Sequence, residues 1–248
     1  MTDERSPPSA LRGRLADVFV PALVSGAVEA LSRRLGNRAT IDDPLCGRAS
    51  SVASIESLLA RVASYFAAGG ATYEHVCSTT GVDRDASEGR LAMRIGGQLR
   101  SVPIAIVAER RRLREIELRM YYAGEPGGGH KPRSPLSASA ETPLASLIEG
   151  IVDGVRRGQL ERALAGFEEA ARLVDATGQP HGKADGALGA HLSELGDLDL
   201  QLAGGADDGR TACIEGTIAR RGSGRTPALF AFQRGDSGLV NELRIYWE

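Results

Sequence analysis

Cysteine is scarce. Cys46, Cys77 and Cys213 are an odd number and widely spaced, so they give no disulfide framework, and no CxxC or comparable metal spacing occurs. A reduced, cytoplasmic setting is the simplest expectation. Aromatic residues make up 4% of the chain, with one tryptophan, which argues against base-stacking platforms for nucleic acid. Neither sign of charge predominates: the formal net charge of −2 gives no long-range pull toward nucleic acid or membrane. No apolar run approaches the ~18 residues of a membrane-spanning helix. The opening MTDERSPPSALRGR lacks the apolar core of a signal peptide. What is left is the composition of a globular chain, 248 residues long, enough for one large domain or two small ones.

An internal repeat decides between these. Segments 113–122 (LREIELRMYY) and 238–247 (GLVNELRIYW) both alternate apolar and polar residues, both contain Glu-Leu-Arg, and both finish on two aromatics. Period-two alternation predicts half-buried strands. Each comes after another strand-like run, PIAIVAE at 103–109 and PALFAFQR at 227–234, the latter joined to its successor by the hairpin signal GDSG. Upstream, 15–35 and 147–169 carry apolar residues at helical spacing, with Gly158 breaking the second stretch into a bent helical hairpin. Each runs into a short strand with a carboxylate at its end, RATIDDP at 38–44 and ARLVDAT at 171–177, then a helix (54–66 and 186–196) and further strands (72–81 and 89–95; 197–205 and 210–219). Each half therefore reads α-α-β-α-β-β-β-β. The expected organisation is an α+β domain over 11–124, a Gly/Pro/Ser-rich linker over 125–141 and a second such domain over 142–248. At roughly 3 Å per extended residue the linker lets the halves meet.

The residues that punctuate this repeat resemble ketosteroid isomerase and its SnoaL-like and nuclear transport factor 2-like relatives. Their pattern is a helical hairpin, then Ala-Thr-(Val/Leu)-Glu-Asp-Pro before a helix, then a last strand ending in an aromatic pair. The first half offers ATIDDP at 39–44 and MYY at 120–122; the second offers ARLVDA at 171–176 and IYW at 245–247. The resemblance implies two cone-shaped domains, each a curved antiparallel sheet wrapped around helices, with an apolar pocket in the cone. It also implies an intramolecular pairing of the two domains through their sheets, with a homodimer left open.

By motif position the resemblance makes Asp43, and Asp175 in the second half, the general base, at a pocket wall where desolvation raises a carboxyl pKa. The bland alternative is an Asp that merely ends a strand and caps the next helix. Isomerisation also needs hydrogen-bond donors for an oxyanion. Counting along the motif puts Phe19 and Ala105 in those positions in the first domain, and Ile151 and Phe230 in the second; all four are apolar, so steroid-type isomerisation is disfavoured. They are instead expected to line the pockets, with the strand-end residues Tyr122 and Trp247. Polyether epoxide hydrolases, which the chain resembles in another respect, pair the same Asp with a carboxylic acid on the strand after the third helix. Glu74 stands at that place, and Asp199, sharing a strand face with Asp197, stands there in the second half. Two carboxyls in one apolar pocket separate their pKa values and supply an acid and a base together. Parity does not decide whether Glu74 or His75 faces inward; they point to opposite faces, and His75 is the alternative base.

Other residues offer less. Cys46 reads as a small loop cysteine rather than a reactive thiol. His130 lies in the linker, and His181 and His191 are read as too isolated for a metal cluster; no metal and no organic cofactor is assigned. Arg110, Arg111, Arg112 and Arg114 read as a solvated turn. Gly127–Gly129 lead into neither a phosphate-loop Lys-Ser/Thr nor a helix, so nucleotide binding has no support. The expected function is an acid–base enzyme on an apolar small molecule in natural-product, polyketide-type biosynthesis, most concretely an epoxide-opening cyclase or hydrolase. The alternatives are a double-bond isomerase using Asp43 with a different oxyanion hole, and a non-catalytic binding or structural module. The first domain is where a competent pocket is expected.

Overall fold

The computed structural model describes residues 13–111, 115–122, 133, 136, 144–219 and 224–247. The linker expected at 125–141, with His130 and the triple glycine, lies almost wholly outside the described residues. Two compact units divide the chain.

The first unit runs α1 (Leu15–Val24), α2 (Val28–Leu35), β1 (Ala39–Asp43), β2 (Gly47–Ala49), α3 (Val52–Ala68), β3 (Thr72–Thr80), β4 (Arg84–Ile95), β5 (Gln98–Arg110) and β6 (Ile116–Tyr122). The second repeats it: α4 (Ser146–Arg156), α5 (Leu160–Leu164), β7 (Phe167–Val174), β8 (Pro180–Gly182), α6 (Ala187–Gly196), β9 (Asp199–Asp207), β10 (Thr211–Ala219), β11 (Thr226–Arg234) and β12 (Val240–Trp247). The strand orders are the same, β2-β1-β6-β5-β4-β3 and β8-β7-β12-β11-β10-β9, and neither sheet closes into a barrel. Each unit is thus an α+β layer of helices on an open six-stranded sheet.

Local chemistry sets the boundaries. Ser51 and Ser54 bond reciprocally in a capping box that starts α3. Gly158, at φ +65°, turns the chain between α4 and α5, where the sequence puts the break. The GDSG turn joins β11 to β12 as an antiparallel pair. Structure and sequence expectation differ in three places. The sheets are mixed rather than antiparallel, because β1 lies parallel to β6 and β7 parallel to β12; a parallel pair needs a long crossover, and the rest of each unit supplies it. The three-residue strands β2 and β8 are too short to show a period. Phe167–Glu169, expected in a helix, begin β7: the Gly166 amide bonds back to the Ala163 carbonyl, closing α5 and releasing the chain into the sheet.

The repeated Glu-Leu-Arg has a plain structural meaning. Leu118 and Leu243 are fully buried on one face of their strands. The flanking charges take the other face. In the first unit Arg119, 2% exposed, reaches Glu109 at 2.7 Å and Glu117 at 3.4 Å, and Arg84 meets Glu109 at 3.0 Å. Burial alone would raise the Glu109 pKa, but the Arg119 and Arg84 guanidinium groups outweigh it and hold the carboxyl below the usual range. In the second unit Arg244 bonds Glu242 at 2.5 Å and Gln233 at 2.9 Å. Buried charges survive because each has a partner.

Candidate functional site

Asp43 is at the end of β1 and has no solvent exposure. Its Oδ1 accepts the backbone N–H groups of Leu45 (2.8 Å) and Cys46 (2.6 Å). These bonds close the turn into β2, where Asp43 pairs with Gly47. The carboxylate therefore performs the local job open to any Asp before Pro. Glu74 is exposed on β3. Asp43 is thus fully buried and Glu74 solvent-exposed, with three strands between β1 and β3 in the sheet order. Phe19 and Ala105 are fully buried, as is Tyr122.

Among the described residues of the first unit, an open cleft lies at α1 and β3. A concavity of ≈ 660 Å³ is bounded by α1 and β3, through Asp17, Val18, Pro21, Tyr73, His75 and Ser78 among others. His75, not Glu74, borders it. Ser78 Oγ donates to Asp17 Oδ1 at 2.6 Å. With its proton committed there, Ser78 Oγ serves as acceptor for His75 Nε2–H at 2.8 Å. In the neutral ring this bond selects the Nε2–H tautomer and turns Nδ1 outward as the acceptor. Arg14 Nε holds the other oxygen of Asp17 at 2.9 Å. Tyr73 packs its ring against Gly89 of β4. Burial foremost raises the Tyr73 pKa; a side-chain hydrogen bond with Ser87 lowers it by less, and the Asp17 charge adds to the rise, so the side chain is held as a neutral phenol. The chain Arg14–Asp17–Ser78–His75 thus orients an imidazole at a cleft that also carries a neutral hydrogen-bond donor.

Sequence reasoning misses Asp17 and Ser78. Asp17 lies in the first turn of α1, where an acidic residue is ordinary. Ser78 is three residues from His75, which period two places on opposite faces; the two meet at the sheet edge formed by β3.

In the second unit, Ile151 and Phe230 are among the residues that line a small apolar cavity. Its volume is only ≈ 30 Å³, about what one water occupies, so the interior is a packed core rather than a binding chamber. Asp199 is exposed and pairs with Arg225. Asp175 and Trp247 border a separate open cleft of ≈ 630 Å³ with His191. Asp175 does not behave as a base poised near neutrality. Burial would raise its pKa, but hydrogen bonds from His181, Thr177 and Gln179 lower it to about 2. His181 and His191 are not isolated, contrary to expectation: their rings stack with centroids 4.0 Å apart. Among the described residues, no helix is long and apolar enough to cross a membrane.

No protein-family model matches the chain, and no curated protein does. Solved structures do. One is an NTF2-like protein of unknown function from Cytophaga hutchinsonii, 12% identical over 44% of this chain and 94% of that one, with a TM-score of 0.37. A SnoaL-like protein of unknown function from Burkholderia thailandensis is 14% identical over 43% and 99%, with a TM-score of 0.35. A hypothetical protein from Catenulispora acidiphila, solved with trimethylamine, is 20% identical over 47% and 87%, with a TM-score of 0.36. The folds these descriptions name are NTF2-like, SnoaL-like and ketosteroid-isomerase-like, the kind that the repeated sequence motifs resemble.

Proposed function

We propose that the chain is an isomerase- or cyclase-type enzyme that moves protons on a small, partly apolar molecule in the cleft of the first unit. The observation that carries this reading is the hydrogen-bonded run Asp17–Ser78–His75 at the border of a ≈ 660 Å³ cleft. That opening is large enough to admit a small molecule from solvent. His75 Nδ1 takes and returns the proton. Tyr73 donates to the oxygen on which negative charge develops, a role that needs the neutral phenol its burial preserves. Val18 and Pro21 supply apolar wall. Within this class we favour ring closure or epoxide opening in natural-product assembly, on the strength of the sequence resemblance to such enzymes, with His75 as base in place of Asp43. In this scheme His75 Nδ1 takes the proton of the attacking hydroxyl while Tyr73, rather than a second carboxylic acid, protonates the epoxide oxygen, and the imidazolium returns its proton to Tyr73 through solvent.

The proposed proton transfer is assigned to the first unit alone; the apolar cavity inside the second, at ≈ 30 Å³, is too small for such a substrate. The first reading is tested in heavy water with a panel of enolisable ketones and epoxides bearing apolar substituents. Wild-type protein is expected to wash deuterium in next to a carbonyl or to open an epoxide, and His75→Gln to slow this by about 100-fold or more. Turnover indifferent to His75, or no turnover of any panel member, sinks the proposal.

A further inference from the structure

We propose that Asp175, His181 and His191 form a binding site for one divalent transition-metal ion. The three come from separate elements: Asp175 comes directly after β7, His181 is the middle residue of β8, and His191 lies on α6. His181 Nε2 lies 2.9 Å from Asp175 Oδ2, and His191 Nε2 lies 3.9 Å from the same oxygen. One donor atom from each residue falls within 4.8 Å of the other two. Ligands on one tetrahedral ion with bonds of about 2.0–2.2 Å lie roughly 3.3–3.6 Å apart, so the trio closes on an ion by side-chain rotation of up to about 1 Å at the donor atoms.

The carboxylate is oriented for this. Its Oδ1 accepts three hydrogen bonds, from Thr177 N (2.8 Å), Thr177 Oγ1 (2.7 Å) and Gln179 N (2.9 Å), which pins the group and turns Oδ2 toward both imidazoles. Outer bonds of this kind set the direction of a ligating carboxylate. The backbone is equally fixed: β8 pairs with β7 through Leu173 and His181, and the Asp175 amide donates to the Gln179 carbonyl. Hydrogen bonding alone serves the trio poorly. Both Nε2 atoms lie near one carboxylate oxygen, but the second, at 3.9 Å, is outside hydrogen-bond range, and the rings stack with centroids 4.0 Å apart, so binding an ion turns the imidazoles out of their stack until both nitrogens converge. A single ion satisfies all three donors at once.

The donor set selects the ion. Two imidazoles with one carboxylate suit zinc, cobalt, nickel or copper, whereas magnesium and calcium prefer all-oxygen sites. Asp175 and His191 border the open ≈ 630 Å³ cleft, so the remaining coordination positions face water or a ligand. Trp247, the sole tryptophan, borders that cleft too and is a built-in reporter.

The site is independent of the reading given for the first unit, and its test needs no turnover. Untagged full-length protein, stripped with chelator, is titrated with Co²⁺ while Trp247 fluorescence and the visible cobalt spectrum are monitored. The expected result is saturable quenching at one ion per chain, displaced by Zn²⁺ and unaffected by a thousandfold excess of Mg²⁺. His181→Asn, His191→Asn and Asp175→Asn are each expected to weaken binding by about 10- to 100-fold, and His75→Asn to leave it unchanged. Far-UV circular dichroism checks that the variants are folded. Zn²⁺ is also expected to raise the melting temperature of the wild type, a readout that needs no variant. Absence of one-to-one binding at millimolar cobalt, or binding that survives loss of either histidine, overturns the proposal.

Discussion

Gly89→Ala joins the fold to the cleft, and its effect can be worked out from interatomic distances. Gly89 pairs with Ile104 in the middle of a regular β4–β5 ladder. Its φ is not among the positive ones, so alanine fits the backbone. On conformational grounds alone the change would stabilise by about 0.5–1 kcal/mol. The added methyl, however, would lie 2.5 Å from Tyr73 Oη and nearer still to ring carbons Cζ and Cε2. Carbon contacts are optimal at about 3.5–4 Å, so the ring must retreat by roughly 1 Å. Overpacking of this kind costs about 1–3 kcal/mol, which reverses the sign. On a Tyr73→Ala background the obstruction is gone, and Gly89→Ala should become neutral or mildly stabilising, a coupling of about 1–3 kcal/mol. Urea unfolding of the four proteins, monitored by circular dichroism, measures the cycle. Because a misplacement of that size in a reacting group costs on the order of 100-fold in rate, Gly89→Ala should also lower turnover without touching His75. Equal effects of Gly89→Ala in both backgrounds would refute the reasoning.

Other positions answer to the same physics. Asp43→Ala strands two turn amides and should lower stability by about 1–3 kcal/mol in urea titrations, whereas Asp43→Asn keeps an acceptor oxygen and should cost under about 1 kcal/mol. The Glu109 carboxyl has its pKa depressed in the folded state, so its contribution is present above the unfolded glutamate range and is lost as pH falls through the folded value. The penalty of Glu109→Gln should accordingly be full at neutral pH and shrink in acid, as read from unfolding midpoints. Gly154→Ala puts a methyl 2.8 Å from the backbone nitrogen of Ala163, an atom that cannot step aside, and should destabilise the second unit by about 1–3 kcal/mol, monitored through Trp247 fluorescence.

The architecture is legible in the sequence where periodicity is strong. The Glu-Leu-Arg strands alternate because one leucine faces a core while the neighbouring charges pair on the other face, and that rhythm is present in both copies. Parallel pairing of β1 with β6 is not legible, since period two says which face a residue takes but nothing of strand direction. The site is legible only in part. Asp43 carries the same sequence signature whether it abstracts protons or closes a turn, and the Leu45 and Cys46 amides on its Oδ1, which reveal the turn, are not encoded in that signature. His75 stands in the sequence as the lesser alternative to Glu74, because parity separates the two without saying which side is inward. His181 and His191 sit ten residues apart on a strand and a helix, and their stacking depends on how α6 lies against the β7–β8 hairpin. No local pattern encodes that.

The central claim is that proton transfer belongs to His75 in the cleft of the first unit and not to Asp43 in its turn. The direct measurement is to assay His75→Gln and Asp43→Asn side by side on one substrate from the ketone and epoxide panel, with folding verified for both. The account predicts that His75→Gln loses about 100-fold or more in rate while Asp43→Asn stays within a few-fold of wild type. The opposite ranking, with Asp43→Asn inactive and His75→Gln unimpaired, would contradict it.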